Sequence, residues 1–337
     1  MTDSPAFPAM QPVVLAQRDG RPPVTLAVHE LGEGPAVVFC HGFPELAYSW
    51  RYQLPAVAAA GFRALAPDQR GYGKSSRPET ISDYGIAELT GDLVGLLDAH
   101  GIEKAVFVGH DWGGLVTWAM PVLHPERCAG IVGVCTPYIP FPDLEAIRKS
   151  FGGEDERFYI LWFQEPGRAE RTMDPQARAI FAGLMRRPLP PEEMARRAFA
   201  GGTLDLNPFR DVAKLGDIAS EPMVTPEELA VYVRTFEATG FAGGINWYRN
   251  MQRNGREHPE IGRQKLDLPC LMITAGWDVA LRPELAAGMP ALCSDLEMHN
   301  IDKAGHWVQQ EAPDAVNALL VDWLRRRFGQ TADRRQS

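Results

Sequence analysis

The chain has no uninterrupted apolar run long enough to cross a bilayer, and Met1 to Gln11 holds no basic stretch leading into an apolar core. Neither a membrane span nor a secretory leader is therefore expected, and a cytoplasmic protein is. Cysteine is sparse and odd in number: Cys40, Cys128, Cys135, Cys270 and Cys293 lack the close paired spacing that holds zinc, which leaves buried free thiols and no metal as the expectation. Positive charge is in deficit. With 34 Lys and Arg against 43 Asp and Glu the net charge is −9, and nucleic acid is not the expected partner, because binding phosphates needs clustered cations.

Two motifs are also missing. Gly71-Tyr72-Gly73-Lys74-Ser75 ends like a phosphate-binding loop, but that pattern requires glycine where Asp68 stands, so a tight loop held by Asp68 and Arg70 is the better reading. No serine sits between two glycines at the spacing of a nucleophile elbow, which disfavours a serine esterase.

What stands at that spacing is a carboxylate. Gly109-His110-Asp111-Trp112-Gly113 follows an apolar run, Ala105 to Val108, and precedes the helical pattern Gly113 to Trp118. A sharp strand-to-helix turn exposes its central side chain when small residues flank it. A carboxylate there attacks an electrophilic carbon, such as that of an epoxide or alkyl halide, and leaves an ester that water must cleave.

The 337 residues, 45% apolar and 23% charged, are ordinary for a soluble enzyme. Strand patterns at Val24–Val28, Ala36–Cys40, Arg63–Ala66, Ala105–Val108 and Gly130–Val134 alternate with helical ones, including Ile86 to His100 with Leu89, Leu93, Leu96 and Leu97 on one stripe. From about Ile139 to Asn254 the chain turns helical and rich in aromatics and Arg, and strands resume at Pro269–Thr274 and Asp295–Met298. The pattern predicts an α/β core in two parts, 1–138 and 255–337, with a helical cap over 139–254 and a solvated tail beyond Arg327.

Cleaving an Asp111 ester requires a base, best an imidazole oriented by a second carboxylate. In the α/β-hydrolase order of nucleophile, acid, histidine, Asp278 after Leu271 to Trp277 takes the acid position, and His306 in Lys303-Ala304-Gly305-His306-Trp307 takes the base position. The backbone N–H groups of Phe43, in His41-Gly42-Phe43-Pro44, and of Trp112 are the candidate oxyanion donors. The His41 ring is read as ordering the turn.

Together, His41 to Pro44, Asp68-Gln69-Arg70-Gly71-Tyr72-Gly73, Gly109 to Gly114, Asp278 and Gly305-His306-Trp307 resemble the α/β-hydrolase-fold epoxide hydrolases, over nearly the whole chain from about Val24 to Phe328. The resemblance implies a mostly parallel sheet flanked by helices, no cofactor, and a small apolar epoxide as substrate. The cap segments Phe158 to Gly167 and Asn246 to Asn250 are similar to those carrying the paired ring-opening tyrosines of that family, here Tyr159 and Tyr248. Phenols suit the task, since they stay protonated at neutral pH and can donate to an alkoxide. Taken singly, without the neighbouring segments, each tyrosine reads better as aromatic packing beside Trp162, Phe163 and Trp247. Phe43, Trp112, Phe163 and Trp247 are expected to line the substrate site, with Met223 and Met251 adding to an apolar tunnel. The alternatives are a haloalkane or haloacetate dehalogenase, for which the Trp112 indole would serve a halide, and a ligand sensor of the same fold. Oligomeric state is open, a homodimer being one option.

Overall fold

Eight strands form one sheet in the computed structural model, which describes residues 6–16, 23–199, 202–216 and 220–329. They are β1 (Met10–Val14), β2 (Thr25–Leu31), β3 (Ala36–Cys40), β4 (Arg63–Asp68), β5 (Ala105–His110), β6 (Cys128–Val134), β7 (Leu266–Ala275) and β8 (Cys293–Ile301), in the spatial order β1-β2-β4-β3-β5-β6-β7-β8. β1 and β2 pair antiparallel, as do β2 and β4, and every later pair is parallel. Every residue of β3 and β5 is buried, as their unbroken apolar runs require when a parallel sheet is covered on both faces. Winding reverses at β3, which has β4 on one side and β5 on the other. Such a reversal opens a crevice at the carboxyl ends of the strands, and the His41–Pro44 turn and Asp111 both emerge there.

The stripe of Leu89, Leu93, Leu96 and Leu97 is buried on α2 (Ile86–Ala99), which follows α1 (Gln53–Ala59) and precedes α3 (Trp112–Leu123). Between β6 and β7 the regular elements are helical, from Leu144–Ser150 to Met251–Glu257. The helix Pro226–Thr239 shows why: Thr225 and Glu228 form a capping box and Pro226 opens the first turn. Glu228 also anchors this region to the sheet domain, since its Oε1 accepts from Arg51 Nε at 2.7 Å, with both side chains buried. Arg51 Nη1 reaches Gln310 Oε1 at 2.7 Å, and the Tyr232 hydroxyl lies 2.9 Å from Ser49 Oγ.

Strand β1 carries no strand signal in the sequence. It is a five-residue edge strand containing Pro12, tolerated there because an edge position need not supply every N–H. The final helix, Pro313–Phe328, ends one residue beyond Arg327, which pairs with Asp295 at 2.7 Å; residues 330–337, where the rest of the expected tail falls, lie outside the described residues. All five cysteines are free, Cys128 being half-buried and the others buried. No helix among the described residues is long and apolar enough to cross a membrane.

Candidate active site

Asp111 stands between the end of β5 and the start of α3 with φ 51° and ψ −121°, a backbone conformation that a non-glycine residue adopts only under constraint. The flanking glycines supply the constraint. A Cβ on Gly109 would lie 2.2 Å from the Gly113 oxygen, and one on Gly113 would lie 2.0 Å from the Cys40 oxygen, so only glycine lets strand, turn and helix approach this closely. Thr136 Oγ1 donates to the Asp111 carbonyl at 2.7 Å and steadies the turn from the end of β6.

The Asp111 carboxylate meets a different group at each oxygen. The Phe43 N–H donates to Oδ1 at 2.7 Å, and His306 Nε2 lies 3.7 Å from Oδ2. The Trp112 N–H, the other expected donor, is the first amide of α3. His306 Nδ1 lies 2.8 Å from Asp278 Oδ2, while Asp278 Oδ1 accepts the N–H groups of Ala280 and Leu281, each at 2.9 Å. Residues far apart in sequence thus meet at the carboxyl ends of β3, β5 and β7 and beyond β8.

Electrostatics follow from this packing. Burial opposes charge on Asp278, but the His306 charge and hydrogen bond, together with the Leu281 N–H, outweigh it and hold the carboxyl at about 2. Burial likewise pulls the His306 pKa down, yet Asp278 and Asp111 together lift it well above the ordinary histidine value. Burial first, and the Asp111 charge with it, push the Tyr159 and Tyr248 phenols up; each therefore holds its proton firmly near neutral pH.

Tyr159 and Tyr248 come from opposite ends of the helical region, on Tyr159–Trp162 and Ala242–Arg249, and their rings meet edge to face at 5.7 Å. Tyr248 also packs on Trp112 at 5.0 Å, Phe43 at 5.2 Å and Phe163 at 5.1 Å, so four of the aromatic residues singled out from the sequence share one cluster with Tyr159. Phe209 joins it, 5.7 Å from Tyr159; no motif marked it. Trp247 is differently disposed. Its indole N–H donates to the Arg70 carbonyl at 3.1 Å and its ring packs on Tyr72 and Trp112, so it stands behind Trp112.

A supporting layer had no assigned role in the sequence. His110 Nδ1 lies 2.7 Å from Glu45 Oε2 and its Nε2 lies 2.6 Å from the His306 carbonyl; Glu45 Oε2 also accepts the Gly42 N–H at 2.8 Å. This buried pair ties the turn that presents Phe43 to the loop that presents His306. The only trace in the sequence is that both residues adjoin motifs, Glu45 after His41–Pro44 and His110 before Asp111. His41 accepts the Gln69 N–H at Nε2, 3.0 Å away, and orders the turn. Arg70 pairs with Asp92 at 2.6 Å, and Asp68 Oδ1 accepts the Ala47 N–H at 2.9 Å, which makes this loop structural. Among the described residues, His110, Cys135 and His306 are the one group close enough to suggest a metal, but both nitrogens of His110 and Nδ1 of His306 are already engaged, so no open ligand set remains.

Residues 35–313 match the family model described as the alpha/beta hydrolase fold. The chain is 44% identical to epoxide hydrolase A of Mycobacterium tuberculosis over 314 residues, covering 89% of this chain and 94% of that protein. It is 38% identical to bifunctional epoxide hydrolase 2 of Sus scrofa across 90% of this chain, but spans 54% of that longer protein. Among solved structures, epoxide hydrolase A from Mycobacterium thermoresistibile superposes with a TM-score of 0.80 at 41% identity, covering 94% of this chain and 98% of that one. An epoxide hydrolase from an endophytic Streptomyces gives 0.81 at 34%, covering 94% and 95%.

Proposed function

The chain belongs to the α/β-hydrolase-fold epoxide hydrolases, enzymes that hydrolyse an ether bond, and on that premise we propose that Asp111, His306, Asp278, Tyr159 and Tyr248 divide the work of a two-stage reaction. The observation that supports it best is the double engagement of Asp111: one oxygen held by the Phe43 N–H, the other facing an imidazole that Asp278 orients.

In the first stage Asp111 Oδ2 attacks a ring carbon, the C–O bond of the epoxide breaks, and the phenols of Tyr159 and Tyr248 supply a proton to the departing oxygen. The His306 imidazolium, held between two carboxylates, restores that proton to the phenol. Alkylation turns Asp111 into a neutral ester and removes one of the two charges that kept His306 protonated. The histidine becomes a base at the moment one is required. In the second stage His306 takes a proton from water, hydroxide adds to the Asp111 ester carbon, and the oxyanion forms on Oδ1 against the Phe43 and Trp112 N–H groups. Collapse breaks the bond from the ester carbon to the substrate oxygen, the departing alkoxide takes the proton of the newly added hydroxyl, and the vicinal diol leaves with the Asp111 carboxylate and His306 imidazolium restored, so protons balance with no added group. Phe43, Trp112, Phe163 and Phe209 form apolar walls, which favours an apolar epoxide. The helical cap over 139–254, bounded on either side by the two parts of the core, brings the tyrosines over Asp111.

His306→Gln is expected to trap the ester: intact-mass analysis after addition of styrene oxide should show one substrate mass on Asp111. A folded variant that acquires no adduct from any of a panel of epoxides sinks the assignment. Tyr159→Phe combined with Tyr248→Phe should slow pre-steady-state alkylation by about 10²-fold or more; an unchanged rate returns both residues to packing. Halide release from a haloalkane, with no diol from epoxides, would favour the dehalogenase alternative.

A further inference from the structure

We propose that Glu311 is a positioning residue for His306, gripping the backbone on both sides of the histidine so that the second stage of the reaction, and not the first, depends on it. Glu311 ends the single-turn helix Val308–Glu311. Its Oε2 accepts the Gly305 N–H at 2.6 Å and its Oε1 accepts the Trp307 N–H at 2.9 Å, the amides immediately before and after His306. Both short bonds go to one carboxylate, and no side chain of opposite charge is within ion-pair distance of it among the described residues.

The neighbouring contacts complete the grip. A Cβ on Gly305 would lie 2.6 Å from Pro188 and 3.2 Å from Glu311 Oε1, so the backbone at 305 is confined between the helical region and the carboxylate. Trp307 Nε1 donates to the Leu184 carbonyl at 3.0 Å, and the His306 carbonyl faces His110 Nε2 at 2.6 Å. Asp278 orients only the ring. Where the ring stands is decided by the backbone that carries it, and Glu311 binds that backbone twice. A tilt of about 10° would move Nε2, roughly 4.5 Å from Cα, by about 0.8 Å, and a misplacement of about 1 Å at a reacting group can cost about 10²-fold. The gap to Asp111 Oδ2 is 3.7 Å, and the reacting water must fit beside it.

Selectivity for one stage follows from chemistry. Nucleophilic attack and C–O cleavage use Asp111 and the two phenols, with His306 returning a proton to the phenol only after the ring has opened, whereas activation of water uses His306 Nε2 directly; a group acting only through the position of His306 should therefore slow ester breakdown and leave the rate of alkylation unchanged. This inference rests on the covalent-ester reading above. The rival interpretation is that Glu311 merely caps its short helix, in which case its loss lowers the fraction of folded enzyme and both stages suffer alike.

Glu311→Gln keeps the shape but turns an amide NH2 toward one of the two N–H groups, which frees one flank of His306. The expected result is an alkylation rate within about twofold of the parent, ester breakdown slowed about 10- to 100-fold, and therefore the ester as the dominant species by intact mass during turnover. The kcat should fall while kcat/KM is preserved. Equal loss of kcat and kcat/KM, or unchanged ester breakdown, overturns the proposal. Should the glutamine variant not fold, Glu311→Asp, which retains the charge but is too short to span both amides, carries the same test with the same two refuting outcomes. Failure of the covalent reading itself is separately visible, as absence of any adduct in His306→Gln.

Discussion

Asp278→Asn tests the most specific arrangement in the site. The acid presents Oδ1 to two backbone donors, Ala280 and Leu281 at 2.9 Å, and Oδ2 to His306 Nδ1 at 2.8 Å. An asparagine in this place keeps its oxygen on the two amides, because turning its NH2 toward them would set donors against donors. Its NH2 then faces His306 Nδ1, which must accept. The imidazole changes tautomer and carries hydrogen on Nε2, where it cannot take a proton from water. The charge that stabilises the imidazolium is lost as well: a unit pair about 4 Å apart contributes about 4 kcal/mol at an effective dielectric of about 20, or about 10³-fold in rate. The corresponding exchange in a Ser-His-Asp triad costs about 10⁴-fold. Ester breakdown should therefore slow by about 10³- to 10⁴-fold, read in single-turnover experiments by intact mass, while alkylation changes by less than about tenfold. The pH dependence has a definite sign. Asp278 raises the His306 pKa, so its removal lowers that pKa, and the limb of the rate profile on which His306 loses its proton moves toward lower pH. Ester breakdown slowed by less than about tenfold, or a limb displaced to higher pH, would refute the reasoning.

Two further variants probe the frame around the site. Gly42→Ala places a Cβ 2.4 Å from Asp111 Cβ and Oδ1, so the carboxylate or the turn must move and the Phe43 N–H bond is lost; kcat should drop by about 10²- to 10³-fold. Activity within about tenfold of the parent, in folded protein, would show that this donor is dispensable. Glu228→Ala leaves the buried Arg51 guanidinium without its carboxylate and removes the capping box at Thr225, which should cost about 3–5 kcal/mol in urea unfolding. A loss below about 1 kcal/mol would mean the anchor between the helical region and the sheet is not stabilising.

Much of the site could be read along the chain because its chemistry is written in local words. Asp111 needs glycines two positions either side, and the steric reason holds in the structure: both Gly109 and Gly113 lie against backbone oxygens. Strands β3 and β5 announced themselves as unbroken apolar runs, since a strand covered on both faces has no polar side to display. Strand β1 did not, because a short edge strand with a proline resembles any extended segment. Trp247 carried the same aromatic signal as Phe163, yet one stands behind Trp112 and the other against Tyr248. Helical spacing gives both residues a buried face and does not say which neighbour fills it.

Sequence by itself determined the alternation of strand and helix, the carboxylate at the elbow and the order of aspartate, aspartate and histidine, because each depends on residues within a few positions of one another or on simple chain order. Only the tertiary structure decided that Glu45 and His110 join the Phe43 turn to the His306 loop, that Glu311 grips the amides on either side of His306, and that Tyr159 and Tyr248 meet ring to ring. The Glu45–His110, His110–His306 and Tyr159–Tyr248 contacts join segments 65 to 196 residues apart, whose partners are selected by the packing of the whole sheet and its cover; the Glu311 grip spans only four and six residues, but a glutamate at that spacing is no signal until the backbone folds its amides toward it.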